Sequence, residues 1–266
     1  MTTKSILSIL FLVCFVFGCK MVSGLINTSG TILIIEVESV ESNQEETTDQ
    51  AVKVLQSRFN AFGASGEVKK ISANRIEVKL YETENPERIK SLLISQSRLE
   101  LSKVVSSPNP SPVQTYATKE EAIQSFGGKV PSNRKVLPFK DRDFDLKNSE
   151  RWIVVENPPI VDGRELRDAS AVSRTNEMAD YQIAFSLKPE GAQKFGDWTG
   201  KNIKNYLAIV LNDEVKSVAF IKSQIFDSGE ISGSFTKQSA EDLALILKSG
   251  YLATKLTYIE EKTFGK

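Results

Sequence analysis

Apolar residues in this chain recur with two alternating periods, first every second residue and then every third or fourth, and the alternation runs through twice. A period of two belongs to a strand with one buried face, and a period near 3.6 to a helix with one buried stripe, so the chain has to stack helices on sheets. Residues 31–38, Thr-Ile-Leu-Ile-Ile-Glu-Val-Glu, read as a strand, and the acidic stretch 41–49 reads as a solvated loop. Val52, Leu55, Phe59 and Phe62 then share one helical face, and Gly63 stands where a left-handed cap is needed. Strands follow near residues 67–71 and at 75–81, with a turn at Ala73-Asn74 between them. Asn85-Pro86-Glu87 opens a second helix with a capping side chain, a proline in the first turn and an early acid. Its apolar face is Ile89, Leu92 and Leu93, and residues 98–104 close the unit as a last strand.

That βαββαβ order predicts an antiparallel ferredoxin-like sheet with both helices on one face. The second pass begins with a strand at 181–187 and a helix at 189–198, then a hairpin of 206–211 and 215–221 turning at Asn212-Asp213. An extra short strand at 230–235 precedes a helix capped by Thr236, whose face is Ala240, Leu243, Ala244 and Leu247 and which ends at Gly250. Residues 255–261 form the closing strand. Between the passes, Pro108, Pro110, Pro112, Gly127, Gly128, Pro131 and Pro138 make 106–157 a loop-rich insertion, with a short helix at 119–125 and a strand at 152–155. The expected fold is therefore α+β with two ferredoxin-like units, 31–104 and 158–266, joined by the insertion 105–157. The last strand either closes the second unit or returns to the first.

Ahead of the first strand, Lys4 supplies one positive charge, residues 6–17 are almost unbroken apolar sequence, and Gly18-Cys19-Lys20 follows. This is a secretory signal pattern, with an apolar run shorter than the roughly 20 residues a spanning helix needs. Gly18-Cys19 is similar to a bacterial lipobox, which makes residues 1–18 a signal peptide, Cys19 the lipid-attachment residue and 19–30 a tether. More than one acyl chain, at about 0.8 kcal/mol per buried methylene, anchors stably. The alternative is an uncleaved anchor running on through Lys20 to residue 26. Either places the remainder outside the cytoplasm, at the membrane of a bacterial envelope.

Several chemistries are closed to the folded part. The 266 residues include no histidine, and the two cysteines, Cys14 and Cys19, both lie in the first twenty positions, so Ser-His or Cys-His nucleophiles and His/Cys zinc sites are excluded. Lys plus Arg and Asp plus Glu both count 34, leaving no net field to attract nucleic acid. The run Lys140-Asp141-Arg142-Asp143-Phe144-Asp145 starts like a calcium loop but has Leu146 and Trp152 where glycine and a bidentate acid belong, and reads as a solvated loop. Gly63-Ala64-Ser65-Gly66 and residues 229–233 lack the lysine of a phosphate loop and the spacing of a nucleophile elbow. Trp152, Trp198 and Tyr206 read as core or rim aromatics. No catalytic residue, metal site or cofactor is expected, and the chain is expected not to be an enzyme.

One family resemblance runs through both halves. Pro158-Pro159-Ile160-Val161 with Gly163 and Asp168-Ala169, Phe185-Ser186-Leu187 with Pro189-Glu190-Gly191-Ala192, and Leu207-Ala208-Ile209-Val210-Leu211 resemble stretches of the SecD family. The most specific is Ser228-Gly229-Glu230-Ile231-Ser232-Gly233-Ser234-Phe235-Thr236, followed by Ala240 and Asp242-Leu243-Ala244. Ala51-Val52, Arg58, Asn60, Gly63, Arg75-Ile76 and Asn85-Pro86-Glu87-Arg88 are similar to the family's opening unit. The resemblance implies a base subdomain and a mobile head subdomain outside the membrane, the head catching unfolded preprotein beside the Sec translocon and its accessory subunits. It implies no nucleic-acid partner and no cofactor. The chain is expected to stop short of the family's membrane bundle, so an envelope lipoprotein that reuses the scaffold for attachment is the alternative role. Lys188 stands before Pro189 where the family usually places a capping threonine, a loss of about 1 kcal/mol.

Overall fold

Among the described residues the first strand pairs with the last. The structure, a computed structural model, describes residues 29–38, 43–106, 113–139, 150–174, 181–252 and 254–265. The signal segment, Cys19, most of the tether and the acidic run 140–145 lie outside the described residues. In chain order the elements are β1 (Gly30–Val37), α1 (Gln44–Ala61), β2 (Gly66–Ser72), β3 (Arg75–Tyr81), α2 (Pro86–Ile94), β4 (Leu99–Lys103), α3 (Lys119–Gln124), β5 (Arg134–Phe139) and β6 (Arg151–Glu156). They continue with β7 (Val161–Asp162), β8 (Leu166–Ser173), β9 (Tyr181–Leu187), α4 (Pro189–Lys201), β10 (Tyr206–Leu211), β11 (Glu214–Phe220), β12 (Ser228–Phe235), α5 (Lys237–Lys248) and β13 (Leu256–Phe264).

The first sheet has the antiparallel order β13-β1-β3-β2. Alternation puts Leu33, Ile35 and Val37 of β1 and Ile76, Val78 and Leu80 of β3 on one face. There they meet Ala51, Leu55 and Phe59 of α1 and Ile89 and Leu93 of α2 in one core. Burying each large apolar side chain contributes roughly 1.5–3 kcal/mol relative to exposure. The strand expected to close this unit, β4, is elsewhere: it pairs with β10 and β7, and β13 takes its place beside β1. The physical reason is that Leu99 and Leu101 of β4 pack into the second core, while Leu256 of β13 and Leu252 just before it pack into the first.

The second pass is not a single ferredoxin-like sheet, because its strands are shared among three. β10 and β11 belong to a six-stranded sheet, β6-β5-β11-β10-β4-β7, whereas β9 lies between β12 and β8 in a third, and β13 joins the first. The six-stranded sheet curls until Val104, just past β4, bridges Val155 of β6. β10 shows why its sequence is apolar without interruption: Leu207, Ile209 and Leu211 enter the core shared with the third sheet, α4 and α5. Ala208 and Val210 enter the smaller core under the curl with Val104, Phe139 and Val155.

Local signals mostly act where expected. Gly63 (φ +64°) follows α1, Asn212 and Asp213 turn the hairpin with positive φ, and the Thr236 hydroxyl accepts from Ser239 N–H. Two expectations need correction. The acidic stretch is helical from Gln44 onward, because the Asn43 side chain accepts from Glu46 N–H and starts α1 inside it. Asn85 occupies the N-cap of α2, yet its side chain makes no capping bond.

Gly229 of β12 is a close-approach position, since a Cβ there would lie 2.7 Å from the Phe185 ring. Gly229→Ala should therefore lower unfolding free energy in urea by about 1–3 kcal/mol. An unchanged midpoint would show that the ring has room to move.

Candidate functional site

Two crossings carry the chain between the first sheet and the rest, residues 95–98 after α2 and 249–255 after α5. Both are tied to one guanidinium. Arg58 of α1 is fully buried and donates to two carbonyls at the end of α2, that of Leu92 (3.1 Å), which also accepts from Ser95 N–H, and that of Leu93. It also donates to Ser97 Oγ at 3.3 Å, and Ser97 Oγ donates to Gly250 O at 3.1 Å. Burial lowers the Arg58 guanidinium to about 10, partly offset by the nearby Tyr258 oxygen, so it remains a cation at neutral pH. Farther out, Arg88 of α2 forms an ion pair with Asp242 of α5. These contacts fix how the two crossings lie against α1.

The third sheet leaves one face open. Ile183, Phe185 and Ile231 point into the core, so Ala184 and Ser186 of β9, Ser170 of β8 and Ser228 and Glu230 of β12 point away from it. Apart from Glu230 these side chains are small, and Gln182 and Ser232 are hydrogen-bonded across the face at 3.0 Å. The edges β2 and β13 of the first sheet and β8 and β12 of the third pair on one side only among the described residues. Asp168 on β8 bonds Lys248 of α5 at 2.9 Å, and this bond, with the Ala169 N–H, holds its carboxyl below the usual range.

The most exposed large apolar side chain among those described is Phe226, in the loop between β11 and β12. Its loop is pinned. The buried Thr199 hydroxyl of α4 accepts from Ile225 N–H at 3.0 Å and donates to Ile225 O at 2.9 Å, Gln224 Nε2 donates to Gly196 O at 3.0 Å, and Asp227 O accepts from Leu187 N–H at 2.7 Å. Ile203 is also exposed, in the turn after α4 that Lys204 N–H closes onto Ile221 O at 2.8 Å. Sequence patterning does not reveal either residue as a surface feature, because an apolar side chain carries no mark of which way a pinned loop turns it.

The residues weighed for chemistry have structural employment. Trp198 packs on the large core, Tyr206 packs on the smaller one with its ring 5.4 Å from Phe220, and Lys119 Nζ lies 5.5 Å from the Trp152 ring. Among the described residues no group of three His, Cys, Asp or Glu side chains could hold a metal, and no helix is long and apolar enough to cross a membrane.

Comparison with known proteins supplies a family. Residues 135–254 match the family described as SecDF, P1 head subdomain. The protein translocase subunit SecD of Aquifex aeolicus (strain VF5) is 32% identical over 227 residues, 85% of this chain and 41% of that protein. The SecD of Elusimicrobium minutum (strain Pei191) is 31% identical over 250 residues, 89% and 51% respectively. The chain thus spans two fifths to one half of the length of these relatives. A crystal structure of SecDF in a super-membrane-facing form superposes with a TM-score of 0.66 at 24% identity, over 89% of this chain and 30% of that one, and shares its fold. A solved structure of a membrane component SecDF that enhances protein export gives 0.62 at 25% identity, over 86% of this chain and 98% of that one.

Two predictions come from this geometry. Arg58→Met leaves the Leu93 carbonyl and Ser97 Oγ without the guanidinium donor, so unfolding free energy should fall by about 2–4 kcal/mol in urea titrations; an unchanged value would remove Arg58 as the tie. The lowered carboxyl of Asp168 stabilises above the unfolded value of about 3.9, and its contribution is lost as pH falls through the folded value. Asp168→Asn should therefore flatten the decline of melting temperature between pH 6 and pH 3, and an identical acid limb would contradict the pairing.

Proposed function

Because the chain belongs to the SecD family of protein-export subunits, we propose that it is a membrane-anchored extracytoplasmic module that binds translocating, unfolded preprotein and assists its export. The observation that carries this reading is the match of residues 135–254 to the SecDF head subdomain, a stretch that includes the whole third sheet and its open face. The role is non-enzymatic. Its partners are the preprotein, the Sec translocon with its accessory subunits, and the membrane, reached through a lipid on Cys19.

Physics supports a sequence-tolerant grip. A strand edge offers the backbone N–H and C=O groups that every polypeptide can pair with, and a face of alanine and serine discriminates weakly among side chains. We read the first sheet with α1 and α2 as the base, a ferredoxin-like unit closed by β13, and the second and third sheets as the head that presents those edges. The tether limits how far the base can stand from the anchor, since residues 20–29 can extend at most about 3.3–3.6 Å each.

Benzoylphenylalanine at position 230 or 170, on the open face, should form light-dependent adducts with a secreted client arrested during export. Active export with no adduct at either position would contradict client binding there. Mass spectrometry of the mature N-terminus should find Cys19 first and acylated; an intact residue 1 would replace the lipid with an uncleaved anchor.

A further inference from the structure

Phe226 is 67% exposed and Ile203 is 44% exposed, and both are turned outward by backbone that is hydrogen-bonded on either side. Ile225 packs on the large core and Ile221 is fully buried, so the loop cannot roll Phe226 inward without losing them. Residues 221–226 run beside the last turns of α4, from the Lys204–Ile221 bond to the Gln224–Gly196 bond. One continuous ridge therefore carries both apolar tips.

Three lysines stand at the Ile203 end of this ridge: Lys201, Lys204 and Lys222 are all exposed, and none forms an ion pair among the described residues. Nearby acids are Asp197, one turn before Lys201, and Asp227, which already faces Arg167 at 3.9 Å. That end of the ridge is locally basic on a chain whose total charge is zero.

We propose that this ridge is a docking surface for an anionic phospholipid bilayer. Protruding apolar tips suit a soft surface that closes around them, whereas a polypeptide segment needs a groove, and a side chain two-thirds exposed lines none. The three lysines at the Ile203 end, without ion pairs among the described residues, complement a layer of phosphate headgroups, while an unfolded client offers no fixed pattern of negative charge. Each such contact is weak alone, but a chain already held at the membrane needs no tight site to keep the ridge on it. The inference rests on the proposed anchoring and is independent of client binding.

The test uses the full chain with benzoylphenylalanine in place of Phe226, reconstituted with vesicles of phosphatidylglycerol and phosphatidylethanolamine or of phosphatidylcholine alone. Ile71, exposed on β2 of the first sheet, is the control position. Phospholipid adducts should form at 226 in the anionic vesicles, with at least about tenfold lower yield after the joint change K201Q, K204Q and K222Q, and lower yield in phosphatidylcholine. Protein that floats with anionic vesicles but gives no more adduct at 226 than at 71, or an undiminished yield without the lysines, overturns the ridge and leaves the anchor standing. Adducts to a polypeptide instead of lipid assign the surface to a protein partner and also overturn it. Failure to float with either vesicle overturns the anchoring and the ridge together.

Discussion

β1 lies between β13 and β3, and the core of the first sheet depends on that placement. With β13 paired from Gly30↔Phe264 to Val37↔Leu256 across a register shift between Ile34 and Ile35, Leu33 and Ile35 are sealed on both sides and reach full burial against α1. Because the fourth strand comes from the far end of the chain, everything from β4 to α5 becomes an insertion between α2 and β13. The larger body is therefore joined to the base covalently at two places only, residues 95–98 and the segment after α5, beside the non-covalent Arg88–Asp242 ion pair.

This arrangement explains a buried cation with no carboxylate partner among the described residues. Desolvating a guanidinium is costly unless its donors are used, and Arg58 directs its two terminal nitrogens to the carbonyls at the end of α2 and to Ser97, which in turn holds Gly250, while its Nε has no partner among the described residues. Gly250 has φ +121°, a conformation that L side chains rarely adopt, and a Cβ added there would lie 3.2 Å from the Val54 side chain of α1. Helix ends, a hydroxyl and a glycine thus converge where the chain passes from one body to the other.

Elements with a strong local period were legible. The stripes Leu55–Phe59 and Ala240–Leu247, the Asn212-Asp213 turn and the continuous apolar run of β10 all follow from side-chain alternation and turn chemistry. Partnership was legible only in part, because a strand signal says which face is buried but not against which strand: the return of the last strand to the first unit was one of two readings, whereas the departure of β4 to the second sheet had no local signal. β5 escaped notice since Pro138 interrupts its pattern; it is tolerated because β5 is bridged to β11 only at Phe139 and pairs fully with β6 alone. β8 escaped because Arg167, Asp168 and Ser170 face solvent and leave little apolar signal. Of the candidate site, the family landmarks were readable in residues 158–236, whereas the outward turn of Phe226 depends on Thr199 and Leu187, distant in sequence and brought together only by folding.

The central structural claim is that the base is closed by the end of the chain and not by the strand after α2. Nuclear Overhauser contacts measured on the isotopically labelled protein test it directly. Cross-strand contacts should join Thr31 to Thr263 and Leu33 to Glu261. Contacts from these β1 residues to Leu99–Lys103 instead would contradict it.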